Sequence, residues 1–110
     1  MGDETALFVD VEPRDDTTLV VRVRGEFDLA GVDRFRAAVE DGCQRPAVEQ
    51  IELDLDGVTF IDSSGVGAIV VASRETKASG RSITIGARSA IVDRVLEVSG
   101  LEDVLRTATD

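Results

Sequence analysis

The stretch Phe60-Ile61-Asp62-Ser63-Ser64-Gly65-Val66-Gly67 joins two segments of different hydrophobic period, and that joint restricts the fold more than any other feature. Before it, Ile51, Leu53 and Leu55 alternate with Glu52, Asp54 and Asp56, the period of a half-buried strand. After it, Val66, Ile69, Val70, Val71 and Ala72 form a broad apolar band in a segment that reads as a helix from Ser64 to Ala78. A chain that alternates strands with helices implies a sheet covered by helices and right-handed crossovers between parallel strands. Ser or Asp ahead of an apolar run signals a helix N-cap. Such a helix start exposes unpaired N–H groups and the positive end of the helix dipole. A hydroxyl placed there can carry a phosphate at modest cost.

The rest of the chain supplies the other layers. Met1 to Thr5 is a polar lead, and Ala6 to Glu12 reads as a first strand. Pro13 to Thr17 is a turn, and Thr18 to Arg24 alternates as a second strand, pairing with the first in a hairpin. Gly25-Glu26-Phe27-Asp28 ends that strand, with Asp28 as N-cap of a helix. In that helix Leu29, Val32, Phe35, Val39 and Cys43 share one apolar face, and Gln44-Arg45-Pro46 stops it. Gly57 is expected to turn the chain before Val58 to Ile61. The helix after the joint should be the most buried, ending at Ser79-Gly80. Arg81 to Gly86 is a fourth strand. Ser89 caps a third helix whose apolar face is Ile91, Val92, Val95 and Leu96, closed by Ser99-Gly100. Asp103 to Thr107 reads as a short last strand or a frayed turn, and Leu101, Val104 and Leu105 must dock. The order is β-β-α-β-α-β-α-(β), one domain over residues 1–110 with a core from about residue 6 to 106.

Charge narrows the partners. Twenty-two acids against twelve bases give a net charge of −10. That surface repels nucleic-acid backbones and anionic membranes, and it steers in a partner with a basic face. No apolar run approaches the roughly 20 residues a membrane helix needs, and no signal-peptide pattern opens the chain. A lone Cys43 forms no internal disulfide. Together these imply a cytoplasmic protein.

Catalytic routes are few. The absence of histidine closes Ser-His-Asp and Cys-His catalysis and histidine metal sites. Lys77 is the only lysine and no phosphate-binding loop precedes it. Gly65-Val66-Gly67 lacks the third glycine of a dinucleotide loop, where Val70 stands. Asp54, Asp56 and Asp62 near strand ends suit a Mg²⁺ site or an aspartyl-phosphate acceptor; Asp54 and Asp56 share a strand face, which we read as the solvent side of the strand. Cys43, on an apolar stripe, reads as a buried structural thiol. No catalytic residue, cofactor or metal is expected. Ser63 and Ser64 admit two readings: one caps the helix and the other is solvated, or one hydroxyl is phosphorylated. A phosphate there adds about −1.5 to −2 charges, opposed by Asp62 and by Asp28 if its loop lies close. Gly65 and Gly67 either permit close helix–sheet packing or leave the surface bare for a partner.

Gly25-Glu26-Phe27-Asp28, Asp62-Ser63-Ser64-Gly65-Val66-Gly67 and Ser99-Gly100-Leu101 resemble the STAS domain, and within it the stand-alone bacterial anti-sigma factor antagonists. The resemblance runs from about Ala6 to Arg106. It implies an α/β STAS fold: a mixed four- to five-stranded sheet with an antiparallel N-terminal hairpin and about three helices. Many relatives add a further C-terminal helix, which is expected to be short or absent here because the sequence ends at Asp110. The resemblance also implies a non-enzymatic role in transcription and stress regulation by partner switching. Ser63, rather than Ser64, matches the serine that an anti-sigma factor with ATP-dependent serine kinase activity phosphorylates. The unphosphorylated form binds that partner and frees the sigma factor; phosphorylation breaks the complex and a metal-dependent serine phosphatase restores it. Asp28, Asp62, Ser63, Ser64, Gly65, Val66 and Gly67 match the docking face, with Ser64 as cap or partner-facing neighbour. STAS domains also serve in anion transporters and signalling assemblies, so the alternative is a scaffold or transporter-accessory module without a kinase partner.

Overall fold

Each apolar alternation noted above becomes a strand that faces three helices. The computed structural model describes residues 6–99. Strands β1 (Leu7–Pro13) and β2 (Thr18–Phe27) are followed by a 3₁₀ turn (Leu29–Gly31) and helix α1 (Val32–Cys43). Then come β3 (Gln50–Ile61), α2 (Ser63–Ala78), β4 (Ser82–Arg88) and α3 (Ala90–Ser99). The sheet order is β1-β2-β3-β4. The first pair is antiparallel and the other two are parallel, as a mixed sheet with an N-terminal hairpin requires. The expected strand at Asp103–Thr107, the docking of Leu101, Val104 and Leu105, and the C-terminal helix lie outside the described residues.

The period of two separates the faces of the sheet. Leu19, Val21, Val23, Ile51, Leu53, Leu55 and Ile83 are buried against Phe35, Val39, Ile69, Val92 and Leu96. Phe27 and Phe35 stack at a tilt, with ring centroids 4.9 Å apart. The opposite face carries ion pairs: Arg14 with Glu52, Arg22 with Glu12 and Asp54, Arg24 with Asp10. Val20, in register between Glu12 and Glu52, is buried on that charged face. Asp54 is tied to Arg22 at 3.1 Å, and Asp56 is exposed beside it. Both acids thus stand on the solvent side, and among the described residues no acidic or sulfur cluster is arranged to hold a metal.

Three local expectations are corrected. Gly57 does not turn the chain: β3 runs unbroken through it, and Gly57 pairs with Arg24. A Cβ at Gly57 would meet Arg24 Cγ at 2.7 Å, so the glycine makes room for the arginine stem lying across the strand. Strand β2 likewise continues past Arg24 to Phe27, because Gly25 takes a φ of 100° that forms an irregularity without ending the ladder. Helix α1 starts at Val32 rather than beside Asp28. The Asp28 carboxylate instead accepts the Ala30 N–H at 3.1 Å and caps the 3₁₀ turn. Leu29 therefore leaves the apolar stripe and is 74% exposed.

Helix α2 buries its small residues: Gly65, Ala68, Ala72, Ser73 and Thr76 join Ile69 in facing inward. Its β-branched Val66 and Val70 are only half-buried and Val71 is exposed. Small side chains let the helix lie close to α1 and the sheet, and the wider valines are turned outward. Cys43 sits half-buried between α1 and α2, its Sγ 3.7 Å from Thr76 Oγ1.

Candidate functional site

The joint between β3 and α2 is built by one carboxylate. Asp62 holds an extended backbone (φ −115°, ψ −171°), as an N-cap does. Its Oδ1 accepts the N–H of Ser64 at 2.9 Å and of Gly65 at 3.2 Å, and its carbonyl accepts the N–H of Val66 at 3.0 Å. Asp62 is therefore the cap, and the expectation that Ser64 serves as one is corrected. The short carboxylate of the preceding residue already satisfies the first-turn donors. Ser63 becomes the first helical residue, one earlier than expected, and it is exposed; Ser64 is half-buried.

The joint is fixed to the end of β2. The Asp62 N–H donates to the Phe27 carbonyl at 3.3 Å, which brings the Asp28 turn and the Ser63 turn side by side. Gly65 is pressed against the same carbonyl: a Cβ there would lie 2.5 Å from Phe27 O and 2.9 Å from Ile61 Cγ1. Gly67 is its opposite, with no atom of the described residues within 4 Å of a Cβ. The two glycines thus divide the two readings left open by the sequence. Gly65 serves packing, and Gly67 leaves bare surface beside Ser63.

Ser63 opens on a groove of about 590 Å³ between the start of α2 and helix α3. Its walls are mainly apolar, from Ile61, Val66, Val95 and Val98, and Arg94 stands among them. Sequence reading missed Arg94, Val98 and the exposure of Leu29. Val98 is 80% exposed and follows Val95 by three positions, a helical spacing that extends the apolar face beyond its buried members Val92 and Leu96. Arg94 carries no signal of its own in the sequence, since only the fold sets α3 and the start of α2 on two sides of one groove.

The geometry limits the chemistry. Among the described residues no acid or base is hydrogen-bonded to the Ser63 hydroxyl. The site is thus an exposed hydroxyl at a capped helix start, flanked by Gly67 and an apolar groove.

The family model of the STAS domain matches residues 9–110. The anti-sigma F factor antagonist of Lysinibacillus sphaericus is 35% identical over 94 residues, 84% of this chain and 80% of that protein. The solved structure of the anti-sigma factor antagonist SpoIIAA in its unphosphorylated form superposes with a TM-score of 0.72 at 31% identity, covering 86% of this chain and 82% of that one. The Bacillus cell fate determinant SpoIIAA in its phosphorylated form gives a TM-score of 0.69 at 29% identity, over 87% and 86% of the two chains.

Proposed function

This chain belongs to the STAS domain family, and within it we propose that the protein is an anti-sigma factor antagonist, a binding protein switched by phosphorylation of Ser63. The observation that carries the reading is the exposed Ser63 hydroxyl at the first position of α2, on a turn held rigid by Asp62 and Phe27. Relatives that share about a third of the sequence bear that activity in their names, and SpoIIAA is known in both unphosphorylated and phosphorylated forms.

In this account the unphosphorylated surface around Asp28, Ser63, Ser64, Val66 and Gly67 docks on an anti-sigma factor and releases its sigma factor. The partner is also a serine kinase. Ser63 Oγ attacks the γ-phosphorus of the partner's nucleoside triphosphate. The Oγ–P bond forms as the bridge to the diphosphate breaks, and the hydroxyl proton passes to a base on the kinase. The product carries about −1.5 to −2 charges beside Asp62 and near Asp28. Because the cap bonds come from Asp62 and not from Ser63, the modification leaves the helix start intact. The cost of burying the dianion and the lost apolar contact then eject the partner, and a serine phosphatase resets the switch. The chain works where its kinase and sigma factor do, in the cytoplasm, and needs no cofactor of its own.

The test is a titration of the anti-sigma partner with wild-type and Ser63→Asp chains. Affinity should fall at least tenfold for Ser63→Asp, with unchanged thermal stability. Equal affinity for the two chains contradicts the switch.

A further inference from the structure

Among the described residues two charged side chains line the groove at Ser63: Asp62 from the joint and Arg94 from α3. Asp62 is engaged, since its carboxylate already holds the Ser64 and Gly65 amides. Those amides are the donors that a helix start would otherwise offer to an anion. A phosphoryl group on Ser63 must therefore find its counter-charge elsewhere. Arg14, Arg22, Arg24, Arg36 and Arg45 are all paired with carboxylates. Arg94 forms no hydrogen bond or ion pair with a described residue, although the chain carries a net charge of −10.

We propose that Arg94 is the intramolecular counter-ion of a phosphoryl group on Ser63 and draws it into the groove between α2 and α3. The inference rests on the reading of Ser63 as the phosphoacceptor. A guanidinium matches phosphate oxygens in a planar, two-pronged geometry that a lysine does not offer. Ser63 and Arg94 are both exposed, so the pair forms at the mouth of the groove beside the apolar walls of Ile61, Val66, Val95 and Val98. Asp62, on the near side, repels the phosphate and turns it toward α3. The consequence is a second element in the switch. In the unphosphorylated chain the apolar groove is open to a partner; in the phosphorylated chain the Ser63–Arg94 pair bridges it. Phosphorylation then removes an apolar docking hollow as well as adding charge.

The test uses the full chain with phosphoserine installed at position 63 during translation, in wild-type, Arg94→Gln and Arg94→Lys backgrounds. Phosphorus NMR follows the second ionisation of the phosphate, near pH 6 when unperturbed. The expected midpoint is about half a pH unit or more lower in the wild type than in Arg94→Gln, with Arg94→Lys between them. In about 1 M salt, where screening acts within about 3 Å, the difference should shrink. Coincident titrations of wild type and Arg94→Gln, with overlaid amide spectra of the unmodified chains, overturn the proposal. So does weakened partner binding by unmodified Arg94→Gln with no change in the phosphate midpoint, which makes Arg94 a partner contact instead. Installed phosphoserine needs no kinase, so this result stands apart from whether Ser63 is a kinase substrate.

Discussion

Gly65 lies so close to Phe27 that a Cβ on it would stand 2.5 Å from the Phe27 carbonyl oxygen, the same oxygen that accepts the Asp62 N–H. The start of α2 is thereby clamped to the end of β2, and Ser63 inherits its position from that clamp. Gly65→Ala should cost about 1–3 kcal/mol, because backbone must move to admit the methyl group. Gly67→Ala, two positions on and facing open space, should instead stabilise by about 0.8–1 kcal/mol through helix propensity. Urea titration of the two variants checks the opposite signs.

Asp62 carries the cap alone. Its replacement by alanine leaves the Ser64 and Gly65 amides without their carboxylate partner. The expected loss is about 1 kcal/mol, or roughly 5 °C in Tm for a domain of this size. Asp62→Asn, which keeps an accepting oxygen, should recover most of it. Scanning calorimetry of the three proteins reads the order.

The hairpin turn supplies a pH dependence. The Asp15 carboxylate accepts the N–H groups of Thr17 at 2.9 Å and Thr18 at 2.8 Å, which hold its pKa below the ordinary 3.8. A carboxylate with a lowered folded-state pKa adds stability that is fully present above its unfolded value and is lost as pH falls through the folded one. Wild type should therefore lose more stability than Asp15→Asn on acidification from about pH 5 to 2. Denaturation midpoints measured across that range should converge at the acid end.

Leu29, in the 3₁₀ turn, and Val98, in the wall of the groove at Ser63, are 74% and 80% exposed. Neither is buried in the fold, so Leu29→Asp and Val98→Asp should change unfolding free energy by less than about 0.5 kcal/mol. On a docking face the same substitutions should weaken anti-sigma binding at least tenfold, about 1.4 kcal/mol or more. Calorimetric titration beside a melting curve separates the two effects.

Much of this arrangement is legible in the sequence. The alternation of Ile51, Leu53 and Leu55 gives β3 and its buried face, and the Asp-Ser-Ser-Gly run marks the helix start. What the sequence conceals depends on neighbours far along the chain. Gly57 reads as a turn until Arg24 is seen lying over it, and Leu29 reads as helical core until Asp28 is seen capping a 3₁₀ turn. The choice of cap is equally local in appearance, yet it is settled by Phe27, which fixes the extended backbone of Asp62. The groove is invisible in the sequence, because it exists only where α3 passes beside Ser63.

The central claim is that Ser63 is the phosphorylated residue of a partner switch. It is tested most directly by incubating wild-type and Ser63→Ala chains with the cognate anti-sigma kinase and ATP, then reading intact mass and mapping the modified site. The wild type should gain one phosphoryl group at Ser63, and Ser63→Ala should gain none. Equal labelling of Ser63→Ala, or a wild-type chain that stays unmodified while its kinase is active, contradicts the account.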